Sequence, residues 1–184
     1  MTSTDGVTWV VGSASYVPDH IRGAAWGDGV FVAVGDNGRV ATTTAGATWE
    51  TDGNPVSASL RDVAHRGGTF VAVGSGGVVA TSVDAGSTWT EQVVGPGGAW
   101  SRVVATPDGF VIGGAGGLYE SPDGIGWSLV NASGVTPIAA VGPFLFGTAG
   151  AAVHRSSDGG FTWSELRPDD GGPGYADAMV EEAP

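Results

Sequence analysis

An all-β array of repeated antiparallel units is the fold this sequence predicts, and three observations carry the prediction. The first is a recurring turn motif. Ser82-Val-Asp84-Ala-Gly86-Ser-Thr88-Trp89 returns as Ser156-Ser-Asp158-Gly-Gly160-Phe-Thr162-Trp163. A form one residue shorter occurs as Ser3-Thr-Asp5-Gly6-Val-Thr-Trp9 and Ser121-Pro-Asp123-Gly124-Ile-Gly-Trp127, and a degenerate long form as Thr42-Thr-Thr44-Ala-Gly46-Ala-Thr48-Trp49. The second is spacing: the five tryptophans Trp9, Trp49, Trp89, Trp127 and Trp163 lie 40, 40, 38 and 36 residues apart, a period that fits one small β-unit per repeat of a propeller or another stacked array. The third is the texture between the motifs. Apolar runs such as Phe70-Val-Ala-Val73-Gly74 lack the alternation of a one-sided sheet and suit strands covered on both faces by neighbouring units.

Each motif position has a physical task. The Asp carboxylate accepts hydrogen bonds from the amides that follow it, the Gly takes a left-handed corner, and the hydroxyls join the same network. The Trp enters the next strand and buries a large ring, with its N–H free to meet a carbonyl. These stretches resemble the BNR or Asp-box repeat of sialidases, sortilin-type receptors, xyloglucan hydrolases and photosystem II assembly factors. The resemblance implies an Asp-box β-propeller-like domain of about five blades: four full four-stranded units plus a partial N-terminal one. It does not specify an activity, because one fold hosts many.

The units follow in order. A half-repeat runs from Met1 to about Val17. The first full unit has strands at Ile21-Arg22, Val30 to Gly35 and Arg39 to Thr43; the second repeats it at Leu60-Arg61, Phe70 to Gly74 and Val78 to Ser82. In the third, Ser101-Arg102 and Phe110 read as the same pattern with one residue deleted. The fourth runs through Pro137 to Val141, Phe144 to Gly147 and Ala151 to Arg155. The repeat domain is expected over 1–167. Residues 168–184 form an acidic, Gly/Pro-rich tail, expected to dangle unless Tyr175 to Val180 seals the ring.

Composition narrows the function classes. The 184 residues carry 34 glycines at turn positions, no cysteine, and 19 acids against seven arginines and no lysine, for a formal charge of −12. Such a chain has no disulfide framework or thiolate chemistry, and its charge disfavours nonspecific binding to nucleic acid or anionic membrane. No signal peptide or apolar stretch of membrane-spanning length is visible. His20, His65 and His154 lack metal-ligand spacing, so neither a metal nor a cofactor is expected.

The motif aspartates Asp5, Asp84, Asp123 and Asp158 are assigned to turns, since successive units would point them in different directions. Function is expected on the opposite rim, among the second-to-third hairpins and the long inter-unit connections. Arg22, Arg61 and Arg102 stand at matching places at the start of three innermost strands. They read either as an anion or carboxylate clamp, or as repeat framework in which each Arg pairs with a loop Asp. Tyr16, Asp19, His20 and Trp100 are further binding candidates on the same connections. The Arg/Tyr/Glu constellation of a sialidase is not found, and carboxylates such as Asp19, Asp52 and Asp62 form no distinctive pair.

The leading functional reading is a non-catalytic protein-recognition or structural module. Its partner would be a protein or a second copy, within a large assembly such as a phage virion or cell-surface structure. The competing reading is a carbohydrate-binding or glycoside-hydrolysing protein.

Overall fold

In a computed structural model of the chain, residues 5–8, 20–46, 48–51, 55–132 and 134–166 are described. Tyr16 and Asp19, the N-terminal Trp9, Asp52 and the tail at 168–184 lie outside them.

Among the described residues, fifteen strands make four antiparallel sheets. The first has three strands, β1 (Ile21–Gly27), β2 (Val30–Gly35) and β3 (Val40–Thr43), extended by a bridge from Thr42 to Glu50. The second is β4 (Leu60–Arg66), β5 (Thr69–Gly74), β6 (Val78–Ser82) and β7 (Thr90–Val93). The third is β8 (Trp100–Thr106), β9 (Gly109–Gly114), β10 (Gly117–Ser121) and β11 (Ser128–Asn131). The fourth is β12 (Thr136–Val141), β13 (Phe144–Ala149), β14 (Ala152–Ser156) and β15 (Ser164–Leu166). Within each sheet the strands pair in chain order. First-to-second hairpins and motif turns therefore share one rim, and second-to-third turns and inter-sheet connections share the other.

The motif turns form as their chemistry requires. Asp84 accepts the Thr88 amide at 2.8 Å, the Thr88 hydroxyl at 2.6 Å and the Ser82 hydroxyl at 2.8 Å. Asp158 repeats this set with Thr162 and Ser156. In the shorter turns the amides two and three residues on replace the Thr hydroxyl: Ile125 and Gly126 donate to Asp123, and Val7 and Thr8 to Asp5.

The turn of the first sheet departs from the sequence reading. Thr43 pairs with Phe31 as Ser82 pairs with Phe70, and its hydroxyl oxygen accepts the Ala45 and Gly46 amides as that of Ser121 accepts those of Asp123 and Gly124. It is thus the short form, with Ala45 in the Asp place, and not a long form starting at Thr42.

The core is divided among the sheet interfaces. Val32, Val34 and Val40 of the first sheet meet Leu60, Val63 and Phe70 of the second. Val71, Val73 and Val79 of the second meet Trp100, Val103, Phe110 and Ile112 of the third. Val104, Val111 and Leu118 of the third meet Leu145 of the fourth. The motif tryptophans Trp89, Trp127 and Trp163 sit at the edges of these three clusters, and all are only partly buried, as is Trp49. Indole N–H groups of Trp89 and Trp127 donate to the carbonyls of Gly86 and Gly124 three residues back. The corresponding carbonyl beside Trp163, that of Gly160, receives the Asn131 amide instead, and the Trp163 indole nitrogen is buried with no partner among the described residues.

Candidate functional site

On the rim opposite the motif turns, an open cavity of about 540 Å³ faces all four sheets. Arg22, Arg61 and Arg102 line it together with Asp36, Ser59, Ser75 and Ser101, and Thr136, Ile138 and Thr148 complete it from the fourth sheet. The fold thus gathers the three arginines that the repeats suggested.

Their places in the sheets are not identical. Register shifts between Ile21 and Gly23, and between Leu60 and Asp62, leave Arg22 and Arg61 as the unpaired residues of β1 and β4. In β8 the shift falls between Trp100 and Arg102, so the unpaired residue is Ser101. Arg102 pairs with Gly113 where Asp62 pairs with Val73. No deletion separates the second and third units. Each shift bends the innermost strand and re-aims its side chains, and Arg102 reaches the same mouth from one position further along.

The same register places Trp100 opposite Gly114 as Leu60 stands opposite Gly74. Trp100 is completely buried, its indole N–H donates to the Gly77 carbonyl at 3.1 Å, and its ring meets Tyr119 edge-on at 5.4 Å. It is a core residue and presents no surface to a ligand, which corrects the expectation of an aromatic on the connection. His20 is exposed beside the mouth, where its carbonyl accepts the Asp36 amide and its imidazole acts on the Asp36 carboxyl through space.

The three guanidinium groups differ in how far they are engaged. Arg22 holds Asp36 in two hydrogen bonds of 2.5 and 2.9 Å. The hydrogen bond from Arg22 keeps the Asp36 carboxyl below its ordinary range, and the Arg22 guanidinium is raised in turn. Arg102 stands 4.0 Å from Asp62, whose two oxygens already accept the Val63 and Val103 amides at 3.0 and 3.1 Å. Burial pushes the Asp62 carboxyl up. Arg61 is exposed and has no hydrogen bond or ion pair among the described residues, and it acts on Asp36 only through space. In its own sheet the residue matching Asp36 is Ser75.

A larger cavity of about 780 Å³ lies between the third and fourth sheets on the motif rim, lined in part by Pro107, Asp108, Pro143, Phe144 and Phe161. It offers no cation, and its Asp158 is consumed in the turn. Among the described residues no group of three or more His, Asp or Glu could hold a metal ion, and no helix is long and apolar enough to cross a membrane.

Comparison with solved structures settles the architecture. The chain superposes on YCF48 bound to D1 peptide with a TM-score of 0.66 at 18% identity, covering 80% of this chain and 54% of that one. YCF48 from Cyanidioschyzon merolae matches with a TM-score of 0.62 at 17% identity, over 84% and 59%. The fold is that of a β-propeller. Its four sheets are blades around a central mouth, and the arginines line that mouth. The GH74 enzyme of Niastella koreensis also matches, with a TM-score of 0.60 at 19% identity, over 81% of this chain and 25% of that one. The propeller described here therefore spans between half and three fifths of the YCF48 chains. No family model and no curated protein matches the sequence.

Proposed function

We propose that this propeller is a non-catalytic recognition or assembly module that takes an acidic or carboxylate-bearing segment of a protein partner at its arginine-lined mouth. The observation that carries the reading is the uneven engagement of the three arginines. Arg22 is neutralised by Asp36 and belongs to the framework, whereas Arg61 has no carboxylate bonded to it and Arg102 has only a distant one. A guanidinium with free N–H groups on an open rim can take a carboxylate in two parallel hydrogen bonds. The serine and threonine hydroxyls around it supply further polar contacts. This local excess of cation in a chain of net charge −12 favours a defined anionic group over a broad acidic surface, which the rest of the molecule repels.

The peptide held by the YCF48 match supports a protein partner by likeness of fold. The two carboxylates beside these arginines, Asp36 at the mouth and Asp62 behind Arg102, support a non-catalytic reading. Asp36 is bound to Arg22, and both Asp62 oxygens accept backbone amides, so neither is poised as a free acid or base. We assign the repeats to the Asp-box class on the geometry of their turns.

The test is fluorescence polarisation with a labelled peptide ending in consecutive aspartates and a free C-terminal carboxylate. Arg61→Gln and Arg102→Gln are expected each to weaken binding at least fivefold, with a smaller salt dependence, at unchanged melting temperature. Arg22→Gln should chiefly lower stability, by releasing Asp36. Unchanged affinity and salt dependence in the folded Arg61→Gln/Arg102→Gln variant would remove the mouth as the binding site.

A further inference from the structure

The blades of this propeller stack in one direction, and equivalent residues along the stack reveal two unfinished ends. The second and third blades each bury one face against the predecessor and the opposite face against the successor. On the face toward the predecessor, Phe31, Phe70, Phe110 and Leu145 occupy one register position, fixed by their pairing with Thr43, Ser82, Ser121 and Ser156. Phe70, Phe110 and Leu145 are 0, 2 and 3% exposed, but Phe31 is 38% exposed. Trp26, which pairs with Phe31 and tilts against its ring at 4.4 Å, is exposed too, and so is Ile21, the equivalent of the buried Leu60 and Trp100, at the other end of β1.

The face toward the successor shows the reverse. Val40, Val79, Leu118 and Val153 share one position, paired with Val34, Val73, Gly113 and Thr148. The first three are at most 3% exposed, and Val153 is 38% exposed. One row is thus open only on the first blade and the other only on the fourth. An apolar blade face left in water is unfavourable in proportion to its area, and open sheet ends of this kind are sites of association.

The two open faces are complementary by construction, because three internal interfaces already join a face of the Val40 type to a face of the Phe31 type. We propose that two copies of this chain close head to tail into a single ring. The fourth blade of each copy packs its Val153 face on the Phe31 face of the other copy's first blade. Curvature is compatible with this occupant. The four blades match 54 and 59% of the YCF48 chains, so a ring of that curvature holds about seven blades, and one of eight is still within the usual range for closed propellers. The described residues of two copies supply eight. The contact is heterologous, and closure by a two-fold rotation makes it occur twice and then stop.

Size-exclusion chromatography with light scattering on the full 184-residue chain tests the ring. The expected mass is twice 18.2 kDa, with a central opening in negative-stain images. Phe31→Glu and Val153→Glu each place a carboxylate in both contacts of a homodimer and are expected to run as monomers with unchanged circular dichroism. Mixing the two variants leaves one contact with both carboxylates and one with neither, so a dimer fraction should return. A wild-type monomer at all accessible concentrations, a dimer that survives either substitution, or growth into open filaments would each overturn the proposal.

Discussion

Trp100 and Trp89 show how unequally two tryptophans of one array contribute. Trp100 is sealed between the second and third blades with its N–H satisfied, whereas Trp89 lies at the rim of the interface between the first and second, its ring partly in water. Truncating a fully buried Trp costs about 3–5 kcal/mol, and a half-buried one correspondingly less. Urea unfolding should therefore show a loss of that size for Trp100→Ala and of about 2 kcal/mol for Trp89→Ala. Equal losses would mean that the motif ring is as deeply packed as the core ring.

Asp158 gives a pH prediction of definite sign. Hydrogen bonds from the Thr162 hydroxyl, the Thr162 amide and the Ser156 hydroxyl hold its folded pKa at about 2, below the ordinary 3.8. A folded pKa below the unfolded one adds stability that is fully present above 3.8 and is lost as the pH falls through about 2. Asp84 and Asp123 are lowered in the same direction, by the Thr88 hydroxyl and the Ile125 amide. Asp62 works in the opposite sense, since burial raises its carboxyl and its contribution is greatest in acid. Urea midpoints measured from pH 5 down to pH 2 should fall in the wild type and fall less in Asp158→Asn.

At the scale of the turn and the strand, the motif glycine does more than take a left-handed corner. A Cβ on Gly124, at φ +81°, would stand 2.6 Å from a Val71 methyl of the preceding blade, and the Gly124 carbonyl accepts the Thr81 hydroxyl of that blade. The glycine is therefore the docking point between one blade's turn and the preceding blade's face. Gly6, at φ +72°, has nothing among the described residues within 4 Å of the same position. Gly124→Ala combines backbone strain with overpacking and should cost about 2–4 kcal/mol, whereas Gly6→Ala, carrying strain alone, should cost about 1 kcal/mol.

The same scale shows what could be read from the sequence. Turn, period and strand order were legible because Ser-x-Asp hydrogen bonding is local and repeats in register. The loop rim was legible too, since antiparallel pairing puts alternate connections on opposite sides. Besides the one-residue shift of the turn at Thr43, what was lost came from one misalignment. Matching Arg102 to Arg61 required a deletion, although Phe70 and Phe110 are 40 residues apart, as are Leu60 and Trp100. Keeping that spacing would have placed Trp100 in the core beside Leu60, and Ser101 at the strand bend with Arg61. A bend of this kind breaks the simple alternation of faces, so side-chain direction near it cannot be counted off. The Arg22–Asp36 pair was foreseeable as framework, but no pattern in the sequence marks Arg61 as the arginine without one.

Across the whole molecule, each blade draws its stability from its neighbours, as in other linear arrays of repeats. The second and third blades have neighbours on both sides, and β5 and β6 are buried along almost their whole length. By contrast, β1 and β14 present exposed or half-exposed residues at most positions. Local opening draws on the least protected segments first. Amide hydrogen exchange should therefore be slowest in β5, β6 and β9 and should quicken outward in both directions to β1 and β14. The gradient has a further property if two copies share a ring, for the end blades then gain neighbours in proportion to dimer. Raising protein concentration should slow exchange in β1, β2 and β14 while leaving the already saturated β5 and β6 unchanged. A uniform rate across all four blades at every concentration would show instead that the array opens as one cooperative unit, with no end weaker than its middle.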